Sequence, residues 1–322
     1  MLVKQMRLNK IQKKLISICE IFKLGEIEAY QQEDSSQNRV FKIITTKGSY
    51  IVKEFSKDAI GNYYYLRKRK EQIAISEQLK KHKINCIIPK RINDKQFFLL
   101  DKQYYLVYDC SKDKYLTQDN ITKEHIIELA KTQAKIHKLK IETKLPCTYK
   151  HINIDFDLYT MTIKDPNLKD LIYSNKEKLI EYIKKGNNAL PSVKKNLCYS
   201  HNDYKHQNIL WNETKMTLID FDASGLSNPT AALIESAFTY SKQNNEINYE
   251  YFELYIKTYL EEYGPLKDNF KDCIYVSMNG KLQWLSYLMF KKRLKEVTSM
   301  LNTLILFASN VETLNEIYEN LI

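Results

Sequence analysis

The feature that most restricts the fold is a change of hydrophobic periodicity near residue 110. Before this point, short segments alternate apolar and polar residues as strands do, and they cover residues 26–31, 40–46, 49–55, 96–100 and 104–108. Beyond it, apolar residues recur at helical spacing over residues 122–139, 168–185, 230–242, 248–263, 270–294 and 296–321. We therefore predict an α+β, bilobal fold: residues 1–110 form a small antiparallel-sheet lobe, and residues 111–322 form a larger helical lobe, with a cleft between them.

Two helices are also predicted within the first lobe. Residues 4–22 carry apolar side chains at three- and four-residue spacing with lysines on the opposite face, and residues 62–82 form the second helix. An amphipathic helix of the first kind packs on its own domain or lies on a membrane surface, and we favour the packed arrangement. The most apolar segments, such as 282–290, are too short to cross a bilayer, so we expect no membrane partner.

Charge and cysteine content narrow the classes of protein that fit. Residues 1–150 hold 31 Lys and Arg against 17 Asp and Glu, whereas residues 151–322 hold 19 against 22. Such a basic segment suits nucleic acid, anionic lipid or nucleotide phosphates, but no groove-reading or base-stacking motif accompanies it, and we expect no nucleic-acid partner. The basic run 67–70 is predicted to face solvent. The six cysteines lie far apart in the sequence, which favours reduced thiols. Lysines interrupt any apolar region near the N-terminus, so we expect no signal peptide and a cytoplasmic protein.

One segment carries the residue types that phosphoryl transfer requires. Asp203 and Asn208 follow His201 in one short loop, and Asp220 ends the next apolar strand. Phosphoryl transfer needs a carboxylate that accepts the proton of the acceptor hydroxyl, and carboxylate and amide oxygens that hold Mg²⁺ against the phosphates. This set, here called the catalytic-loop motif, is predicted to converge on one metal–phosphate centre. The alternative is a buried histidine with turn-forming Asp and Asn residues.

A lysine in the predicted sheet has an unusual setting. In the strand 49–55, two-residue alternation places Ile51, Lys53 and Phe55 on one face. A lysine between two large apolar residues fits a cleft in which Lys53 reaches nucleotide phosphates while Ile51 contacts the base. The alternative is an edge-strand lysine whose ammonium group reaches solvent.

These motifs resemble those of a known family. The catalytic-loop motif is similar to the catalytic loop and metal aspartate of the protein-kinase-like fold. Residues 35–43 and 48–53 resemble the nucleotide loop and lysine strand of its aminoglycoside phosphotransferase/choline kinase branch, and residues 129–139 resemble one of its helices. The resemblance covers about residues 25–295 and is most specific over 199–222. The spore-coat kinase-like proteins are the most similar subgroup, which raises spore association as an alternative location.

The resemblance implies a role for each matching residue. Asp203 would be the catalytic base, Asn208 and Asp220 would be the ligands of Mg²⁺, and the nucleotide would be ATP or GTP. The remaining nucleotide contacts would be Ser35, Ser36 and Asn38 over the phosphates, Ile51 at the base, Lys53 at the α- and β-phosphates, the backbone of Tyr108, Asp109 and Cys110 at the adenine, and Lys205 at the γ-phosphate. Glu71, with Glu77 as the alternative, would pair with Lys53. His201 and His137 would be structural.

Three departures from the family pattern bear on catalysis. The nucleotide loop has no glycine, so its backbone approaches phosphates less freely. Asp222 stands where protein kinases have glycine. Ala232 replaces the aspartate that usually braces the catalytic loop, and Glu235, one helical turn later, is the candidate substitute.

We therefore expect a Mg²⁺-dependent enzyme that transfers the γ-phosphoryl group of ATP or GTP to a hydroxyl of a small molecule. The glutamates of the helical lobe favour a cationic acceptor such as an aminoglycoside or a choline-like amine; they are Glu246, Glu250, Glu253, Glu261 and Glu262. The alternative is a nucleotide-binding pseudokinase or spore-coat-associated scaffold without turnover, which the glycine-free loop and Ala232 favour.

Overall fold

The computed structural model describes residues 9–33 and 38–322, and the chain divides into two compact units. The first unit combines Met1–Lys114 with Thr217–Asp222, and the second unit combines Tyr115–Met216 with Ala223–Ile322. The first break in the chain therefore follows Lys114 and not residue 110.

The segment Thr217–Asp222 belongs to the first unit, which differs from the expectation that it is part of the helical lobe. Backbone hydrogen bonds explain the difference. The amide of Leu218 donates to the carbonyl of Asn85 (2.9 Å), and the carbonyl of Leu218 accepts from the amide of Ile87 (3.0 Å). Asp220 is consequently positioned by the first unit.

The first unit is built on an antiparallel sheet whose described strands follow the order β1-β2-β3-β5-β4. Its elements are α1 (Lys10–Phe22), β1 (Ile27–Glu33), β2 (Arg39–Thr45), β3 (Gly48–Glu54), α2 (Tyr63–Lys81), β4 (Phe98–Leu100) and β5 (Gln103–Asp109). In the centre of the sheet, Val52 of β3 lies opposite Phe41 of β2 and Val107 of β5. β3 therefore pairs with a neighbouring strand on each side and is the central strand of the sheet.

Helix α1 covers one face of this sheet. It begins with a capping box between Asn9 and Gln12, which satisfies amides of the first turn. Its apolar residues Leu15 and Ile18 are buried against Val52 and other sheet residues. The amphipathic helix thus packs on its own unit, as expected, and part of the predicted 4–22 segment lies outside the described residues.

The second unit consists mainly of helices. Its elements are α3 (Lys123–Lys138), α4 (Phe156–Thr162), α5 (Pro166–Val193), β6 (Cys198–Ser200), β7 (Ile209–Asn212), β8 (Lys215–Leu218, ending in the first unit), β9 (Gly225–Ser227), α6 (Pro229–Ser241), β10 (Lys242–Gln243), β11 (Glu246–Ile247), α7 (Tyr249–Tyr263), α8 (Phe270–Phe290), α9 (Leu294–Ser309) and α10 (Val311–Glu319). Leu179 of α5, Leu285 of α8 and Leu301 of α9 meet in its core. The predicted α+β class is confirmed.

Two general expectations can be compared with these elements. Within the described ranges, no helix combines the length and the apolar composition that crossing a bilayer requires. All six cysteines are free thiols, in keeping with their separation in the sequence.

Candidate active site

Lys53 lies near the centre of the sheet in the first unit, on the face opposite α1. Its neighbour Val52 points into the core beneath α1, whereas Phe55 belongs to the apolar cluster on the face that carries Lys53. The Lys53 side chain is 9% exposed. It is not an edge-strand lysine, because β3 pairs with both β2 and β5.

Two carboxylates surround the ammonium group of Lys53. Its Nζ lies 2.9 Å from Oδ1 of Asp220 and 2.6 Å from Oδ2 of Asp222. Burial by itself lowers the pKa of a lysine, but the two negative charges outweigh burial and raise the pKa of Lys53 above its usual value. Lys53 is therefore a charged group at neutral pH, held beside the predicted metal ligand Asp220.

Asp222 connects this ion pair to the rest of the first unit. Its carboxylate lies 2.6 Å from Nη1 of Arg69 and accepts a hydrogen bond from Nδ2 of Asn38 (3.0 Å). Its main-chain carbonyl accepts from Nε2 of Gln72 (3.0 Å). Asp222 thus links Lys53 to α2 and to Asn38, which precedes β2. The sequence analysis noted only that protein kinases have glycine at this position, and it did not predict this role.

Arg69 is a site residue that sequence reasoning missed. The basic run 67–70 is predicted to face solvent, yet Arg69 is only 5% exposed. Burial of a guanidinium group requires a compensating charge, which Asp222 supplies. A signal was present in the sequence: Arg69 and the buried Gln72 are three residues apart and therefore share a face of α2.

The glutamates expected to pair with Lys53 have other positions. Glu77 pairs with Arg91, with 2.6 Å between Oε2 and Nη2. Glu71 is half-buried and projects from α2 about 100° away from Gln72 around the helix axis. Among the described residues, the ion pairs of Lys53 are those with Asp220 and Asp222, so these carboxylates replace the expected helix glutamate.

The expected adenine-binding strand is β5 and the residue after it. Ile51 lies opposite Tyr108, and Tyr50 lies opposite Asp109, in the β3–β5 ladder. The amide of Cys110 donates to the carbonyl of Ser49 (3.0 Å), so the sheet already uses one of the backbone groups expected to bind the base. Ser35 and Ser36 lie outside the described residues, and Asn38 bonds to Asp222 as described above.

The loop between β6 and β7 holds Asp203 and Asn208 together. Nδ2 of Asn208 donates to Oδ2 of Asp203 (2.6 Å) and to the main-chain oxygen of Asp203 (2.9 Å). The other carboxylate oxygen, Oδ1, lies 2.9 Å from Nζ of Lys205. Asn208 is buried and Lys205 is exposed, so the loop presents one rigid and one adjustable contact to the Asp203 carboxylate.

Buried histidines support this loop. His137 of α3 bonds through Nδ1 to the hydroxyl of Tyr259 (2.7 Å) and through Nε2 to the hydroxyl of Ser200 at the end of β6 (3.1 Å). Burial lowers the pKa of His137 to about 3, which keeps the ring neutral. His206, which sequence reasoning did not single out, bonds to Gln118 (2.8 Å), and burial lowers its pKa to about 4.

Ala232, which stands where the family usually has a bracing aspartate, takes part in a different hydrogen bond. The main-chain oxygen of Ala232 accepts a hydrogen bond from Nε2 of Gln133 (3.0 Å), which also donates to Ser236 (2.9 Å). Glu235 was the candidate substitute for the aspartate, but its carboxylate faces Nζ of Lys281 at 3.4 Å. Gln133 thus links α3 to α6.

A pocket of about 320 Å³ opens beside the catalytic loop within the second unit. Asp203 and Lys205 belong to its lining, together with residues of other elements that include Gln133 of α3, Glu235 of α6 and Lys281 of α8. Its volume lies at the lower end of the range for small-molecule sites. A carboxylate in such a pocket can act on a bound hydroxyl group.

The oxygen donors expected for Mg²⁺ have suitable chemistry. The two hydrogen bonds donated by Nδ2 of Asn208 leave its Oδ1 as the acceptor atom, and the Asp220 side chain is 40% exposed. Asp220 has φ of 58°, a left-handed conformation that concentrates at functional sites. Residues 9–33 and 38–322 contain no cluster of three His, Cys, Asp or Glu side chains that could hold a metal.

Comparison with known proteins gives an independent indication. The model of a family described as "Phosphotransferase enzyme family" matches residues 32–267. No curated protein sequence matches significantly.

Solved structures with a similar fold are numerous. Spectinomycin phosphotransferase APH(9)-Ia, in complex with ADP and spectinomycin, has a TM-score of 0.69 at 13% identity, and the match covers 93% of this chain and 98% of that one. Amicoumacin kinase hAmiN, in complex with AMP-PNP and Ca²⁺, has a TM-score of 0.63 at 13% identity and coverages of 94% and 93%. Choline kinase LicA from Streptococcus pneumoniae has a TM-score of 0.58 at 17% identity and coverages of 92% and 99%. At such low identity these likenesses establish the protein-kinase-like fold.

Proposed function

This chain belongs to the phosphotransferase enzyme family, and on that premise we propose that it transfers the γ-phosphoryl group of ATP or GTP to a hydroxyl of a small molecule. The observation that carries the proposal is the Asp203 carboxylate, which lines a pocket and accepts a hydrogen bond from Asn208. Asp203 accepts the proton of the acceptor hydroxyl. The acceptor oxygen forms a bond to the γ-phosphorus, the bond from phosphorus to the β,γ-bridging oxygen breaks, and the nucleoside diphosphate leaves.

The nucleotide side of the reaction is assigned to the first unit and to Asn208. Lys53 contacts the α- and β-phosphates, and its charge is maintained by Asp220 and Asp222. Asn208 Oδ1 and the carboxylate of Asp220 are the proposed Mg²⁺ ligands. When bound, Mg²⁺ supplies neutralisation of the charge that develops on the transferred phosphoryl group.

The expectation of a cationic acceptor has lost its basis. None of the five glutamates that suggested it lines the pocket containing Asp203. Glu250, for example, is exposed and pairs with Lys123. We therefore propose that the acceptor is a small molecule and that it need not carry a positive charge.

A second candidate is a nucleotide-binding protein without turnover. It is favoured by the Asp203 carboxylate, which contacts Asn208 through one oxygen and Lys205 through the other. The ammonium group of Lys205 occupies one acceptor site of Oδ1, and its release frees that site for the proton of the acceptor hydroxyl. Lys205 is exposed, and breaking its ion pair with Asp203 costs little free energy because solvent screens the two charges. We therefore retain the enzyme as the first candidate.

The test is nucleotide consumption with the Asp203→Asn variant. A screen over aminoglycosides, choline, ethanolamine, homoserine, methylthioribose and sugars identifies an acceptor, and the variant should then lose on the order of 10²–10⁴-fold in kcat while still binding Mg-ATP. Asp157→Asn, which changes an exposed aspartate paired with Lys176, is the matched control and should retain activity. Full turnover by Asp203→Asn would refute its role as the base. Nucleotide binding without consumption for any acceptor would favour the second candidate.

A further inference from the structure

The pocket beside the catalytic loop carries an excess of positive charge. Its lining includes the ammonium groups of Lys205, Lys242 and Lys281 against the carboxylates of Asp203 and Glu235. His206 also lines it, but burial holds the pKa of His206 at about 4, so this ring adds no charge at neutral pH. Lys205 pairs with Asp203, which leaves two lysines and one carboxylate among the remaining charged residues of the lining.

Lys242 is the lysine without a compensating carboxylate. It follows the last residue of α6, is half-buried, and donates from Nζ to the hydroxyl of Thr303 at 2.7 Å. Among the ion pairs of the described residues, none includes Lys242. Burial lowers the pKa of Lys242, and the nearby positive charge of Lys281 lowers it further. Lys242 and Lys281 line the same pocket, so their like charges repel each other.

Lys281 is only partly neutralised. Its side chain is 12% exposed, and its nearest carboxylate oxygen, on Glu235, is 3.4 Å away. That separation is longer than a good charge-assisted hydrogen bond. Glu235 is itself 45% exposed, so solvent weakens the attraction. A ligand with a negative group would relieve the repulsion between Lys281 and Lys242.

We propose that the acceptor is a hydroxylated small molecule with an anionic group, a carboxylate or a phosphate, which Lys242 and Lys281 bind while its hydroxyl faces Asp203. This inference rests on the proposed function, because it assigns the acceptor to the pocket that contains the catalytic base. The hydroxyl groups of Ser236, Thr239 and Thr303 also line the pocket and suit a polyol chain. The volume of about 320 Å³ limits the acceptor to a small molecule.

The proposal can be tested by binding, without turnover. The full chain is labelled with an amine-reactive reagent at neutral pH, and modification of Lys242 is followed by mass spectrometry with D-gluconate, D-sorbitol or D-glucamine present. These probes differ at one carbon, which carries a carboxylate, a hydroxyl or an ammonium group, and inorganic phosphate is a fourth probe. A bound anion that raises the lysine pKa by one unit should slow labelling about tenfold. Sorbitol and glucamine should have little effect.

Controls distinguish this pocket from general effects of anions. Lys271, an exposed lysine paired with Glu312, is labelled in the same sample and should not be protected. Lys281→Gln should reduce the protection of Lys242 by gluconate or phosphate. Because the primary amine of glucamine itself consumes reagent, protection of Lys242 is expressed relative to Lys271 in the same sample. Unprotected Lys242 with both anions, or stronger relative protection by glucamine, would overturn the proposal.

The experiment separates this proposal from the proposed function. Asp203→Asn should retain the anion protection of Lys242, because the variant removes the base and keeps both lysines. Protection of Lys242 without nucleotide consumption for any acceptor of the screen would leave the anion site standing and favour the protein without turnover. Consumption with glucamine and not with gluconate would support the enzyme and overturn the anion site.

Discussion

At the scale of single residues, the cation–carboxylate cluster of the first unit is organised by Asp222. Asp222 contacts both Lys53 and Arg69, and Asp220 also contacts Lys53. Two buried cations thus face two partly exposed carboxylates, and the charges balance. This compensation allows the guanidinium group of Arg69 to be buried on α2.

Removal of Lys53 should destabilise the protein more than removal of an exposed lysine. Lys53→Met leaves two adjacent carboxylates with one cation, and we expect the free energy of unfolding to fall by roughly 3 kcal/mol. Lys90→Met is the matched control in the same unit, because Lys90 pairs with the exposed Asp109, and its loss should be at most about 1 kcal/mol. Urea unfolding in the presence of a chelator measures both. Equal losses would contradict the buried charge balance.

His137 should make stability depend on pH between its two pKa values. The pKa in the folded protein is about 3, against 6.5 for an unperturbed histidine, so the unfolded chain binds a proton first as pH falls. This contribution is complete above pH about 6.5 and is lost by about 1.4 kcal/mol per pH unit below it, towards the folded pKa. His137→Gln removes the titrating group, so unfolding free energies measured from pH 7 to pH 4 should fall less steeply than in the wild type. Parallel curves would contradict the assignment.

The residues of the site differ in how far the sequence identified them. Asp203 and Asn208 lie five positions apart in one loop, and local backbone geometry brings such residues together, so their pairing could be anticipated. Asp222 and Arg69 are separated by more than a hundred positions, and their contact depends on how Thr217–Asp222 joins the first unit. Periodicity within one helix cannot reveal the partner that makes burial of a charge favourable.

At the scale of elements, the N-terminal capping residues of the helices in the second unit differ in how many hydrogen bonds they form. Asn228 caps α6 by accepting from the amide of Ala231 (3.0 Å) and also donates to the carbonyls of Val193 and Asn196 (both 3.0 Å). It is fully buried. The segment between α5 and β6 is therefore attached to the start of α6 by one side chain.

Asn228→Ala should cost more stability than the same change at an exposed cap. Asn269 caps α8 with one bond to the amide of Asp272 (2.9 Å) and is exposed, which makes Asn269→Ala the matched control. We expect a loss of about 1 kcal/mol for the control and about 3 kcal/mol for Asn228→Ala, because two buried carbonyls also lose their donor. Thermal or urea unfolding measures the difference. Similar losses would show that the two extra hydrogen bonds contribute little.

Element boundaries were predicted less well than element types. The apolar pattern over 296–321 predicts one helix, but two form, α9 and α10, and Asn310 ends one and precedes the other. Nδ2 of Asn310 donates to the carbonyl of Leu306 (2.7 Å), which competes with continuation of the helix. Conversely, α5 continues past its predicted end at 185 and includes Pro191, and the added turns bury Ala189, Leu190 and Val193. Helix α4 was not predicted.

At the scale of the whole molecule, nucleotide binding should stabilise the folded chain. A ligand that binds only the folded state at about 100 times its Kd adds roughly 2.7 kcal/mol, which corresponds to an increase in Tm of about 5 °C for a chain of this size. Differential scanning fluorimetry with Mg-ATP measures it. Lys53→Met should lose this increase, whereas Lys90→Met should keep it. No increase with the wild type at millimolar nucleotide would contradict nucleotide binding and both candidate functions.

The sequence by itself determined the α+β class, the helical character of the second unit and the presence of Asp203, Asn208, Asp220 and Lys53, because periodicity and short spacing are local properties. Only the tertiary structure decided that 217–222 joins the first unit, that Asp222 and Arg69 balance the charge of the lysine strand, and that two lysines share the pocket of Asp203. Contacts of this kind bring together distant parts of the chain, and their free energy comes from burial and from pairing of charges that no local pattern records.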